Sequence, residues 1–329
     1  MLVNMLVSRR ALVAALLALS IPVALAADPP RYPSKPIKLI VPVPPGGGVD
    51  LLARVIGQKM GEGLGVPVVI ENKPGASAAI GTDMLAKSPP DGYTIMMAYT
   101  AHATNPLLSK LPYDTDKDFT AVAFVGYIPL VLVTNPGFPA NSVKDIVAMA
   151  KAKPGSVQYA SGGAGAGAHL SGELLKQMAN VDITHVPYKG NAPALNDVIG
   201  GQVPFMFDTL PTSLPLVKAG KLKALAVTTE KRTPLAPDIP TMVEQGWPGF
   251  VISAWYAVLA PAGTPKDVVA RLNAEINKAA KDPELQKRMA DQGIELVGGS
   301  PEEAQKFIDS EVVRWRAVIK EKGITAEGR

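Results

Sequence analysis

Residues 120–134 read TAVAFVGYIPLVLVT. Between Val122 and Val133 only Gly126 and Pro129 interrupt a β-forming run. An ordinary strand has about 5–6 residues, so this stretch predicts a chain crossing from one domain to the next. A second such run, Phe250 to Leu259, contains Trp255 and Tyr256. Two crossings mean that the chain leaves a first domain and later returns to it.

The segments between the crossings alternate. Ile37 to Val43 reads as a buried parallel strand, and Val49 to Leu64 as a helix with Leu52, Val55, Ile56 and Met60 on one face. Val66 to Glu71 is a strand, Ala78 to Lys87 a helix, and Tyr93 to Tyr99 a strand. After the first crossing, Ser142 caps a helix running to Lys151. Val157 to Ser161, Ile183 to Tyr188, Phe205 to Asp208 and Leu222 to Thr229 are strands. Ala168 to Ala179 and Ala192 to Gly200 are helices. After the second crossing come helices from Pro265 to Lys281, Pro283 to Gln292 and Glu302 to Lys322, with a short strand at Ile294 to Val297. Prolines 265, 283 and 301 stand at helix starts, where proline is favoured. The expected fold class is α/β: two doubly wound lobes joined by two crossing strands, a clamshell with a cleft at the hinge. The predicted boundaries are a first lobe of residues 27–127 plus 254–329 and a second lobe of residues 128–253.

The chain has 329 residues and no Cys, which removes disulfides, thiolate zinc sites and lipid-anchored cysteines from consideration. Three His leave little for a metal site. Arg9 and Arg10, the apolar run Ala11 to Ala26 and the small-residue pattern Ala24-Leu25-Ala26 form a secretory signal peptide over residues 1–26. The run is shorter than the ~20 residues needed to span a bilayer. Without Arg9 and Arg10 the formal charge of +4 becomes +2. Such a near-neutral, exported chain has no electrostatic reason to bind nucleic acid.

Two glycine-rich turns lead from strands into helices. The first is Gly46, Gly47 and Gly48, followed by Val49 and Asp50. The second runs from Ser161 to Ala168 and includes Gly163, Ala164, Gly165 and Ala166. Glycine lets a ligand approach the backbone, and a helix N-terminus offers unpaired N–H groups to a carboxylate. The second turn lacks the Gly-x-Gly-x-x-Gly spacing of a dinucleotide site, so no cofactor is expected. Asp50 is either a cleft residue or support for the helix dipole. Asp208, at a strand end, accepts a hydrogen bond from a ligand or fixes a loop. Lys189 is the one cation placed near the cleft. Thr100, Ala101 and His102 follow the third strand and line the mouth, whereas His169 and His185 read as structural. Trp255 and Tyr256 read as hinge packing. No Gly-x-Ser-x-Gly elbow, His-Glu-x-x-His or Walker A lysine is present, so neither a catalytic nor a metal site is expected.

Several ordered motifs carry a resemblance. They include Pro44-Pro45-Gly46-Gly47-Gly48, Glu71-Asn72-Lys73-Pro74-Gly75-Ala76, Pro90-Asp91-Gly92-Tyr93-Thr94, Leu111-Pro112-Tyr113-Asp114, His185 to Gly190 and Leu259-Ala260-Pro261-Ala262-Gly263-Thr264-Pro265. From about Tyr32 to Gly323 the chain resembles the Bug family, the extracytoplasmic solute receptors of tripartite tricarboxylate transporters. The resemblance implies a type II periplasmic-binding-protein fold. It also implies a monomer that closes on a small carboxylate in the periplasm and delivers it to membrane permease subunits. In that family the two glycine turns grip carboxylates through backbone N–H groups and ordered water. The family commonly has Thr or Ser where this chain has Val49, and polar side chains where it has Ala164, Ala166 and Ala168. That departure predicts a ligand with an apolar or aromatic body. Behind the transport receptor stand two further classes: a periplasmic ligand-sensing partner of a two-component system, and an enzyme on the same scaffold.

Overall fold

The computed structural model describes residues 32–325. The segment predicted as a signal peptide lies outside the described residues. All elements below belong to the compact unit Lys35–Arg329. Among the described residues no helix is long and apolar enough to cross a membrane.

The chain opens with β1 (Ile37–Val41), α1 (Gly48–Leu64), β2 (Val68–Asn72), α2 (Ala79–Ala86), β3 (Thr94–Tyr99) and α3 (Ala101–Leu108). Strand β1 lies between β2 and β3, parallel to both. Its Ile37, Leu39, Ile40 and Val41 are buried, as a strand covered by helices requires. Leu52, Ile56 and Met60 of α1 are also buried, so the predicted apolar face of α1 is the one turned to the core.

The stretch 120–134 belongs to one strand, β4 (Phe119–Thr134), with 16 residues. It changes partners midway. Phe119 to Pro129 pair antiparallel with β9 (Ser253–Pro261), and Leu130 to Thr134 pair with β7 (Phe205–Thr209). Val131 to Thr134 also pair with β8 (Lys223–Val227). Register shifts along β4 let it serve these partners in turn. A side chain at Gly126 would run into the Glu295 carbonyl, so glycine admits the short β10 (Glu295–Leu296) here.

Between the two long strands the chain forms α4 (Val143–Ala152), β5 (Gln158–Ser161), α5 (Gly167–Ala179), β6 (Thr184–Pro187), α6 (Asn191–Ile199), β7, α7 (Leu210–Lys218) and β8. Strand β5 runs parallel to β6 and β7. The end of the chain adds α8 (Lys266–Ala280), α9 (Pro283–Ala290), β10 and α10 (Pro301–Lys322). The strands form one sheet in the order β2-β1-β3-β9-β4-β7-β5-β6, with β8 and β10 attached to β4.

Thr228 stitches the two long runs where β4 changes partners. Its N–H donates to the Leu130 carbonyl at 2.9 Å, and its carbonyl accepts from Ile252 N–H at 3.1 Å. Its hydroxyl accepts from Leu130 N–H at 3.1 Å and donates to the Ile252 carbonyl at 2.6 Å.

Helix ends follow the sequence signals. The Ser142 hydroxyl accepts from Asp145 N–H at 3.1 Å. Ser300 and Glu303 form a reciprocal capping box ahead of α10. Helices α3 and α7 are additions to the sequence reading. Each carries proline, Pro106 in α3 and Pro211 with Pro215 in α7. Short segments of this kind have weak helix propensity and gain their stability from packing.

Candidate functional site

The two glycine turns meet. Helix α1 starts behind Gly47 and α5 behind Ala166, and neither N-cap offers a side-chain acceptor. Gly47, Gly48 and Val49 from one helix and Ala166, Gly167 and Ala168 from the other line the same small cavity of about 40 Å³. About 10–15 Å³ of such space holds one water, so this cavity can take a group the size of a carboxylate. Two helix N-termini aimed at one cavity supply N–H groups and two positive dipole ends without a formal cation. Gly48 permits the close packing. A Cβ there would come within 3.0 Å of the Tyr256 hydroxyl and of the Thr209 methyl.

Asp50 holds the first turn. Its Oδ2 accepts from Gly46 N–H at 3.1 Å and from Arg54 Nε at 2.9 Å. Its Oδ1 accepts from Arg54 Nη2 and from Asn72 Nδ2, both at 2.9 Å. Burial alone would raise this carboxyl, but the hydrogen bonds from Arg54, Asn72 and Gly46 outweigh it and hold Asp50 below the usual carboxylate range. Asn72 also donates to the Val43 carbonyl at 2.9 Å, fixing the end of the first strand.

A buried polar group holds the second turn. The Ser161 hydroxyl lies 2.6 Å from His185 Nε2 and accepts from Gly163 N–H at 3.1 Å. Gly165 N–H donates to His169 Nδ1 at 3.1 Å, and the two imidazoles pack with centroids 4.4 Å apart. Burial, with Lys176 nearby, lowers His169 to about 3 and His185 to about 4, so both are neutral at neutral pH. Among the described residues His185 Nδ1 makes no hydrogen bond.

The cavity wall adds Asn191 and Thr209 from the second glycine turn's side, Tyr99 at the end of β3 and Tyr256 of β9. Asn191 Nδ2 donates to Asp208 Oδ1 at 2.8 Å. Asp208 Oδ2 accepts from Ser213 at 2.7 Å and from Thr212. Burial raises the Asp208 carboxyl against these hydrogen bonds. Burial and the Asp208 charge push the Tyr256 phenol far up, which keeps it a neutral hydroxyl.

Four of the predicted residues, Gly47, Gly48, Val49 and Ala166, line the cavity. Gly46 and Asp50 stand behind the first turn, and Ser161 behind the second. Gly163 and the exposed Lys189 line an adjoining, wider surface groove of about 770 Å³ that shares Pro44 with the cavity. Gly165 faces Thr104 and Asn105, and Ala164 lines neither space. Thr100, Ala101 and His102 are buried at the start of α3, outside the cavity wall. His102 packs edge-on against Phe119 at 5.2 Å, and burial lowers it to about 4. Asp208 lies behind the wall, bonded to Asn191 and next in sequence to Thr209, which both line the cavity. The alternation of β9 separates its two aromatics. Trp255 Nε1 donates to Glu311 at 3.0 Å in the core against α10, whereas Tyr256 turns to the cavity. Asn191, Thr209 and Tyr99 were missed, although each stands at a strand end or helix start.

Between β2 and α2 the backbone is strained. Ala76, Ser77 and Ala78 have φ of 46°, 51° and 76°. Left-handed backbone costs about 1–2 kcal/mol per L-residue. Asn105 Nδ2 holds this turn by donating to the Ser77 carbonyl at 2.5 Å.

With this geometry in place, the similarities are informative. Residues 52–324 match the family profile described as tripartite tricarboxylate transporter family receptor, TctC. The chain belongs to the TctC receptor family. This receptor is 40% identical to BugT of Bordetella pertussis over 295 residues, covering 89% of this chain and 90% of BugT. Among solved structures it resembles Rpa4515 of R. palustris, described with adipate, at 38% identity and a TM-score of 0.86. That match covers 89% of this chain and 99% of the other. It also resembles MatC of Rhodopseudomonas palustris, described with bound malate, at 33% identity and a TM-score of 0.83, covering 88% and 100%. The receptor's mixed α/β fold is thus that of the family's periplasmic binding proteins, a family of solute-binding proteins whose members include carboxylate binders.

Proposed function

We propose that this receptor captures a small carboxylate with an apolar or aromatic body in the periplasm and delivers it to the permease subunits of a tripartite transporter. The observation that carries this reading is the pair of uncapped helix N-termini lining one cavity. Val49, Ala164, Ala166 and Ala168 offer the ligand no side-chain hydroxyl, which supports an apolar body over a hydroxyl-rich one. Adipate and malate, named with the two structural neighbours, are both small dicarboxylates, and adipate has the apolar body.

Capture proceeds by closure of two lobes, residues 27–127 plus 254–329 and residues 128–253, about a hinge at the two long strands. The partner change at Pro129 and Leu130 and the Thr228 stitch support that location. The receptor acts as a monomer exported by a signal peptide at residues 1–26. It releases its ligand chemically unchanged, and it needs neither cofactor, metal nor nucleic acid.

Calorimetric titration with adipate, a benzoate-type acid, malate and citrate tests the reading. Binding of an apolar-bodied acid, with citrate weak or silent, is expected. Tight citrate binding with no response to the apolar acids would overturn the preference for an apolar body.

A further inference from the structure

We propose that Asp208 couples ligand capture to proton uptake: a carboxylate entering the cavity between α1 and α5 draws a proton from solvent onto Asp208. This rests on the carboxylate-capture reading above and goes beyond it by assigning the cavity a proton-linked acid.

Asp208 has 0% exposure. Its carboxylate is held by neutral donors, the side chains of Asn191, Thr212 and Ser213 and the Thr209 N–H, and no ion pair reaches it among the described residues. It lies one side chain from the cavity. Asn191, which bonds Asp208 directly, lines the wall, as do its chain neighbour Thr209 and Tyr256. An anion held by helix N-termini and an ionised Asp208 would be two like charges close together in a buried region. Such pairs are relieved by protonation of one member. The hydroxyls around Asp208 accommodate that change. Thr212 Oγ1 bonds Asp208 Oδ2, lies 2.8 Å from the Thr209 carbonyl and 2.7 Å from the Thr209 hydroxyl. It can therefore accept from a protonated Asp208 and turn its own hydrogen to Thr209, with no donor or acceptor lost.

The surroundings hold few competing groups. Strand β9 presents Tyr256, and burial keeps both Tyr256 and Tyr99 protonated. Strand β4 places Val131 opposite Asp208. Helix α1 brings Gly48 to Thr209 while its Asp50 is engaged by Arg54. Helix α5 brings Gly167 and Ala168 to the cavity, with His169 turned to Gly165. His102, His169 and His185 are buried imidazoles also able to take up a proton, and α5 carries the buried Glu173, paired with Lys176 at 3.0 Å. Burial already places the empty-state Asp208 above the ordinary carboxylate value. A bound anion raises it further, so affinity climbs as pH falls through the liganded value and levels off below the empty one.

The test is adipate titration of the intact secreted protein and of Asp208→Asn between pH 8 and pH 5, in buffers of differing ionisation enthalpy. The native protein should take up protons on binding, increasingly toward pH 5. Its affinity relative to Asp208→Asn should rise at least about tenfold across that range, the effect of two charges roughly 12 Å apart near a protein surface. Asp208→Asn should bind without proton uptake. Should that variant fail to fold, an infrared difference spectrum of the native protein should show a protonated-carboxyl band on adipate binding. Adipate binding without buffer dependence or that band would overturn the inference, as would proton uptake persisting in Asp208→Asn. Silence toward adipate, malate and a benzoate-type acid at every pH would instead overturn the capture reading, and this inference with it.

Discussion

The Thr104 hydroxyl donates to the Gly165 carbonyl at 2.8 Å, joining α3 to the second glycine turn across 61 positions of sequence. The next residue of α3, Asn105, holds Ser77. Helix α3 thus ties the segment after β2 to the loop in front of α5. If the lobes close as proposed, this tie belongs to the closed form. Thr104→Val keeps the shape and removes the donor. A hydrogen bond of this kind is worth about 0.5–1.5 kcal/mol, so carboxylate affinity should fall roughly 2- to 12-fold, with the melting temperature of the empty protein little changed. Calorimetry and thermal unfolding together check this. An unchanged affinity would mean that the bond also persists in the open form.

Asp50 should matter for stability more than for ligand contact. Its four hydrogen bonds hold the first turn and the start of α1. Asp50→Asn replaces acceptor capacity with an amide and should cost about 1–3 kcal/mol at pH 7. Because the folded carboxyl is lowered, its contribution is complete above the unfolded value near 3.9 and is lost as pH falls through the folded value. In urea unfolding, the gap between native and variant should therefore narrow as pH drops from 5 toward 3. A gap independent of pH would contradict this assignment.

The architecture was legible in the sequence where one segment's own pattern decides it. The alternation of strands and helices, the Ser142 and Ser300 starts, and the long runs at 120–134 and 250–259 all carry local signals. The glycine turns were legible for the same reason. What escaped depends on partners far along the chain. Asp50 carried two readings until Asn72, 22 positions on, met it in space. Tyr256 and Trp255 are neighbours in sequence, and only the pairing of β9 decides which faces the cavity. Helices α3 and α7 hide behind prolines, and with them went Thr104 and the hydroxyls around Asp208.

The buried histidines predict an acid-sensitive fold. Burial lowers His102 and His185 to about 4 and His169 to about 3, against about 6.5 in an unfolded chain. Each favours the folded state fully above pH 6.5, and that contribution is lost as pH falls toward the folded values. The loss per histidine is roughly 1–3 kcal/mol by pH 4. The melting temperature should be steady from pH 8 to 7 and then decline below 6.5. A flat profile between pH 7 and 5 would contradict the burial of these rings in neutral form.

Ser77 sits at the middle of three left-handed residues. Ser77→Gly removes a Cβ penalty of about 1–2 kcal/mol against an unfolded-state entropy cost of about 0.5–1 kcal/mol. The variant should be equally or slightly more stable, by up to about 1 kcal/mol, in chemical unfolding. A clear loss of stability would show that the Ser77 side chain contributes more than its backbone strain costs.

The central claim is that the cavity between the two helix N-termini takes the carboxylate of a small organic acid. It is tested most directly by mass spectrometry of whatever the purified, natively folded protein releases on denaturation. The account predicts a mono- or dicarboxylate with an apolar or aromatic body, absent when the wall is closed by Gly48→Leu. A released sugar, amine or other ligand without a carboxylate would contradict it.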